Sequence, residues 1–196
     1  MWAFFAGIVL LTLIRPLLRF DPAPPPVLGE LPAYSLVDPG GAEFGSEQLA
    51  GRVYVANFFF TSCASICPPM MRAVKTLQDR LRAEGIDGVR IVSVTVDPET
   101  DTPGRLAEYG AALGVDPARW TLLTGERDEI RVLAVEGFKT AMGEREEVAE
   151  GGLFDIAHAG KLVLIDRRGR IRGYFDYDAL GLDEVFHRAR HLLRER

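Results

Sequence analysis

Apolar positions follow two rhythms along this chain. Arg52-Val-Tyr-Val-Ala-Asn-Phe-Phe-Phe60 is a nearly unbroken run rich in β-branched and aromatic residues. It reads as a strand buried on both faces. Val89 to Val96 reads as a second such strand. Between them, Met70, Val74, Leu77 and Leu81 recur at helical spacing within Pro68 to Leu81. The two prolines at its start fit a first turn, where a missing N–H costs nothing, and Gly85 ends the helix. Thr102 and Pro103 open the next helix as N-cap and first residue; it carries Leu106, Tyr109 and Leu113 and stops at Gly114. A strand over Trp120 to Leu123 and a helix over Glu126 to Val135 follow. Lys161 to Ile165 and Arg170 to Phe175 flank Asp166-Arg-Arg-Gly169 as a β-hairpin, and Leu182 to Leu193 is a terminal amphipathic helix. The order β, α, β, α, β, α, β, β, α predicts an α/β fold around a partly parallel sheet, with a late antiparallel hairpin.

The first residues have neither rhythm. Trp2 to Ile14 carries no charge, and Arg15, Pro16 and Arg19 then interrupt the apolar run that ends at Leu18. It lacks the basic start and small-residue cleavage site of a signal peptide. We expect residues 1–20 to be an uncleaved N-terminal membrane anchor. Residues 21–32 hold five prolines and should form an extended, semi-rigid spacer. The domain then occupies 33–196.

Composition adds little to this picture. Hydrophobic residues are 47% and charged residues 26% of 196, an ordinary globular mix. The net charge of -5 argues against a nucleic-acid partner, which would call for a basic face. Two cysteines are too few for a disulfide-stapled scaffold. They can still form a bridge, a redox couple or part of a metal site.

Both cysteines lie in Phe60-Thr-Ser-Cys63-Ala-Ser-Ile-Cys67-Pro-Pro, at the end of a strand and the start of a helix. This placement suggests, by analogy, a thioredoxin-like three-layer sandwich. Residues i and i+4 on a helical turn face the same way, about 5–6 Å apart. Two thiolates so placed can grip one metal at ~2.3 Å each and, being soft donors, select Cu(I) or zinc. Thioredoxin-type redox motifs are one residue shorter, C-x-x-C, but a thiol–disulfide couple stays open. A metal site needs a third ligand from three histidines. His187 and His191 fall on the charged face of the last helix. His158, in a loop just before a strand, is the better candidate. Asp97 ends the second buried strand and is either a carboxylate near the cysteines, supporting them or docking a partner, or simply a turn residue. The acidic run Glu144 to Glu150 reads as a solvated loop.

The chain resembles the SCO/SenC copper proteins, assembly factors for cytochrome c oxidase. The resemblance rests on Asn57-Phe-Phe-Phe-Thr-Ser-Cys63-Ala-Ser-Ile-Cys67-Pro, Val96-Asp-Pro-Glu-Thr-Asp-Thr-Pro103, Leu122-Leu-Thr-Gly125, and His158 followed by Leu164-Ile-Asp166 and Gly169-Arg-Ile-Arg-Gly-Tyr174. It implies a thioredoxin-like fold with an N-terminal anchor. It also implies copper, as Cu(I) or Cu(II), on Cys63, Cys67 and His158, with a redox-active disulfide between the same cysteines. The expected role is a metallochaperone rather than an enzyme. It would take copper from an upstream donor and deliver it to the dinuclear centre of oxidase subunit II. The setting would be the bacterial inner membrane, with the domain in the periplasm. The alternative is a thiol–disulfide oxidoreductase that keeps such a site reduced. Two residues depart from the family pattern, Ala64 for proline and Ala159 for serine.

Overall fold

A computed structural model describes residues 25–140 and 160–195, together with the backbone of 142–149 and 153–158. The expected anchor at 1–20 and the first part of the spacer lie outside these residues. Among the described residues no helix is long and apolar enough to cross a membrane.

The two apolar runs sit side by side at the centre. β4 (Val53–Phe59) is buried at every position and pairs in parallel with β5 (Val89–Thr95), from Val53↔Val89 to Phe59↔Thr95. Burial on both faces explains why neither run alternates. β6 (Trp120–Leu123) continues the parallel set beside β5. On the other side, β9 (Leu162–Ile165) is antiparallel to β4, and β10 (Arg170–Phe175) is antiparallel to β9, which gives the expected hairpin. β1 (Gly29–Glu30) completes the order β1-β10-β9-β4-β5-β6.

β1 lies inside the stretch expected to be spacer. Leu28 and Leu31 donate backbone N–H groups to Ile171 and Gly169, and Arg172 grips the carbonyl of Pro25. Only an edge strand tolerates prolines this close, because its outer side needs no ladder bonds. The fold therefore starts earlier than the proline count indicated. Two further strands, β2 (Ser35–Val37) and β3 (Glu43–Gly45), pair with each other ahead of a single turn, α1 (Ser46–Leu49).

The helices begin where their caps predict. α2 (Cys67–Ala83) carries prolines in its first turn, and Gly85 follows it at φ 65°. α3 (Pro103–Leu113) is capped by Thr102, whose side chain accepts the Arg105 N–H at 3.3 Å, and Gly114 closes it at φ 73°. Two successive right-handed crossovers place α2 and α3 on one face. There Asn57 Nδ2 reaches Met71 Sδ at 3.4 Å, and the Phe59 and Tyr109 rings lie 5.5 Å apart. α5 (Ala179–Arg194) joins this layer, with Arg80 stacked 3.7 Å over the Phe186 ring. Phe58 points the other way, onto Phe138, which follows α4 (Arg127–Val132) and a π-helical turn over Leu133–Gly137. The result is the three-layer, thioredoxin-like arrangement.

The acidic run is not a loop. β7 (Met142–Ala149) pairs antiparallel with β8 (Leu153–His158), with Arg145↔Ile156 and Glu147↔Phe154 opposed. Glutamates are weak strand formers, so their own pattern gave no sign of a strand. The partner strand supplies the apolar residues.

Candidate metal centre

β4 ends at Phe59 and α2 starts at Cys67. The seven residues between them form the loop that carries Cys63. The Cys63 N–H donates to the Phe60 carbonyl at 3.3 Å, and the Cys67 N–H donates to Cys63 Sγ at 3.3 Å. Cys63 Sγ thus lies at the first turn of α2, held from the preceding loop by the Cys67 N–H rather than by the helical i, i+4 geometry expected from the spacing. Neither cysteine is in a disulfide, and both are buried, Cys63 at 7% and Cys67 at 1% exposure. Burial pushes the Cys63 thiol up. Hydrogen bonds from Cys67 outweigh it, with Ser65 adding to them, so the thiol ends below its ordinary value. A helix start that donates to sulfur in this way favours the thiolate, the form that binds metal or attacks disulfides.

His158 is the last residue of β8, rather than a residue of a free loop. Its side chain lies outside the described residues, as does Ala159. Gly160 is described, and a Cβ there would stand 3.3 Å from Ile66 Cδ1 and 3.2 Å from the Tyr177 ring. The backbone two residues past His158 therefore packs against the residue just before Cys67. Two residues span at most about 7 Å, so the end of β8 is tethered close to the cysteine loop. Among the described residues no group of three His, Cys, Asp or Glu is placed to hold a metal.

The other two histidines go elsewhere. His187 pairs with Asp183 at 3.4 Å and His191 with Glu195 at 3.6 Å, both along α5. Asp97 is 2% exposed, so its carboxylate is not presented to a partner at the surface. Its backbone carbonyl accepts the N–H groups of Thr100 and Asp101, the geometry of a turn.

Two residues beside the cysteines gave no functional signal in the sequence. Tyr109 fitted the helical stripe of α3 and nothing more. Its phenol is pushed up to about 12, by burial first and then by Cys67, Asp101 and Cys63 nearby, against the pull of Arg72. Asp101 read as turn chemistry, yet it is fully buried and accepts hydrogen bonds from Thr61 and Thr95. Its contact with Thr61 spans 40 residues, which no local pattern records. A cavity of about 570 Å³ between α3 and β6 contains neither cysteine.

The fold and the site together define a thioredoxin-like protein with a buried, pre-arranged thiol pair at a strand–helix junction. The SCO1/SenC family model matches residues 28–194. The SCO1 protein homolog of Bacillus subtilis is 36% identical over 149 residues, which cover 74% of this chain and 76% of that one. The structure of BsSco is similar at a TM-score of 0.73 and 28% identity, covering 87% of this chain and 97% of that one. BsSco is a member of the Sco family of cytochrome c oxidase assembly proteins, with an identified disulfide switch. Yeast Sco1 with copper bound is similar at a TM-score of 0.67 and 25% identity, covering 83% and 88%. The chain belongs to the SCO1/SenC family.

Proposed function

We propose that this protein carries copper on Cys63, Cys67 and His158 and delivers it to the dinuclear copper centre of cytochrome c oxidase subunit II. The observation that supports this reading is the Cys63–Cys67 pair at the start of α2, with Gly160, two residues past His158, placed so that a Cβ there would stand 3.3 Å from Ile66 Cδ1. Two thiolates and an imidazole form a soft donor set that suits copper. Copper is the cargo here, and a site of three ligands leaves a face at which an incoming thiolate would replace one ligand at a time. The apolar residues 2–18 would anchor the chain in the bacterial inner membrane, with the domain in the periplasm and Asp21 to Pro24 as spacer. An upstream donor would load it.

The test is titration of the reduced protein with Cu(I) against a competing chelator. One equivalent should bind. Cys63→Ser and Cys67→Ser should abolish binding, and His158→Ala should weaken it. Binding by His158→Ala equal to wild type overturns the three-ligand reading.

The lowered Cys63 thiol favours a second reading, a thiol–disulfide oxidoreductase acting on the cysteines of a copper site. Such a reductase needs both cysteines and no histidine. In cells lacking the endogenous protein, a carrier predicts that His158→Ala fails to restore oxidase activity, whereas a reductase predicts full rescue.

A further inference from the structure

Thr61 is two residues ahead of Cys63, just past the end of β4. Its backbone N–H donates to Asp101 Oδ2 at 3.0 Å and its hydroxyl to Asp101 Oδ1 at 2.5 Å. The Thr95 hydroxyl, from the last residue of β5, donates to Oδ2 at 2.5 Å. Asp101 is itself fixed through its N–H, which donates to the Asp97 carbonyl at 2.9 Å. Arg105 Nε adds a longer contact to the Thr61 hydroxyl at 3.4 Å. One carboxylate at 0% exposure thus joins the exit of β4, the end of β5 and the turn before α3.

An ionised carboxylate only accepts hydrogen bonds, and here all three of these donors are neutral groups. Two of them belong to Thr61, one backbone and one side chain. They fix both the position and the rotation of that residue. From there the chain has only Ser62 before Cys63. We propose that Asp101, acting through Thr61, is the positioning residue that holds Cys63 Sγ against the first turn of α2. This rests on the reading that Cys63 and Cys67 work as a pair, and it extends that reading to a residue that touches neither sulfur.

A held pair has a high effective concentration of one thiol for the other. That quantity can be read without copper. In glutathione buffers the two thiols and one glutathione disulfide exchange to give the Cys63–Cys67 disulfide and two glutathione thiols, a two-electron balance. Thr61→Val deletes the hydroxyl donor and should lower the equilibrium constant for disulfide formation about tenfold, a rise of about 30 mV in reduction potential. Thr61→Ser keeps the hydroxyl and should stay near wild type. Asp101→Asn should match Thr61→Val, and the double variant should be no worse than either single one, the signature of groups acting as a unit. Thermal unfolding is followed in parallel, because a purely structural clasp would lower stability and leave the equilibrium unmoved.

Equal equilibrium constants for wild type, Thr61→Val and Thr61→Ser overturn the proposal even where Asp101→Asn does not fold. A wild-type protein whose cysteines never pair in any glutathione ratio overturns the paired-thiol reading, and the clasp with it. Disulfide formation in wild type with unchanged variants overturns the clasp alone.

Discussion

Two buried aspartates lie at opposite ends of β4 and are held in opposite ways. Asp166 follows Ile165, which pairs with Tyr54 near the start of β4; Asp101 meets Thr61 beyond its end. Asp166 accepts the backbone N–H groups of Arg168 and Arg170 and the guanidinium groups of Arg170 and Arg172, the latter at 2.8 Å. Arg172, 3% exposed, also binds Glu195 and the Pro25 carbonyl. That cluster ties the first described residues, the hairpin and the end of α5 together by full charge pairing. Asp101 is held by two hydroxyls and an amide, beside the thiols. A carboxylate matched to guanidinium groups is a fastener. One matched to neutral donors next to reactive sulfur shapes a site and leaves its charge less compensated.

The sharpest way to break this contrast is Arg172→Met. Removing Arg172 leaves the buried Asp166 with Arg170 as its one cation and takes the guanidinium away from Glu195. A loss of about 3–5 kcal/mol in denaturant unfolding is expected. The Cys63–Cys67 equilibrium of the folded protein should not move. A shift there would mean that the two ends of β4 are coupled and the division of labour is false.

Between the two ends lies a neutral control. Trp120 Nε1 donates to Ser93 Oγ at 2.8 Å, and Ser93 donates to Asn57 Oδ1 at 2.6 Å, across β6, β5 and β4. Ser93→Ala strands a buried donor and a buried acceptor, at a cost of about 1–3 kcal/mol. A cost as large as that of Arg172→Met would show that polar burial in general, rather than charge pairing, sets the scale.

The middle of the molecule was legible in the sequence for a simple reason. β4 and β5 are mostly apolar because both faces are covered, and the caps of α2 and α3 are written in Pro68, Thr102 and Pro103. The thiol pair was legible because both cysteines fall close together at a strand–helix junction, although Cys63 lies in the loop and only Cys67 is on α2. The edges were not. β1 hides among prolines that an edge strand tolerates, and β7 hides among glutamates whose apolar partners lie on β8. Asp101 looked like a turn residue because its backbone is in a turn; its carboxylate answers to Thr61, 40 residues earlier.

Acid separates the fastener from the rest of the fold. Burial by itself raises the Asp166 carboxyl, but hydrogen bonds from Arg170 and Arg172 outweigh it and hold the group below the usual carboxylate value. A depressed folded value means that the unfolded chain takes up its proton first. The stabilisation is therefore present above about pH 4, the unfolded value, and is lost as pH falls through the lower folded one. Urea midpoints of wild type and Asp166→Asn should differ at pH 7 and converge toward pH 2. A constant difference across that range would show that Asp166 acts through shape rather than charge.

The smallest effect tests whether burial is what distinguishes these charges. Lys75 and Asp79 are an i, i+4 pair on α2 with Nζ and Oδ2 2.6 Å apart, closer than any contact of Arg172 with Asp166 or Glu195. The hydrogen bond from Lys75 is the main cause that holds the Asp79 carboxyl below its ordinary value. Their side chains are 26% and 40% exposed, so water screens the pair and both side chains lose rotamer freedom to form it. Lys75→Ala should cost only about 0.3–0.5 kcal/mol, and less in high salt. A salt-independent loss above about 1 kcal/mol would place an exposed pair within reach of the buried cluster. Short contact distance would then explain the strength of the Arg172 cluster as well as burial does.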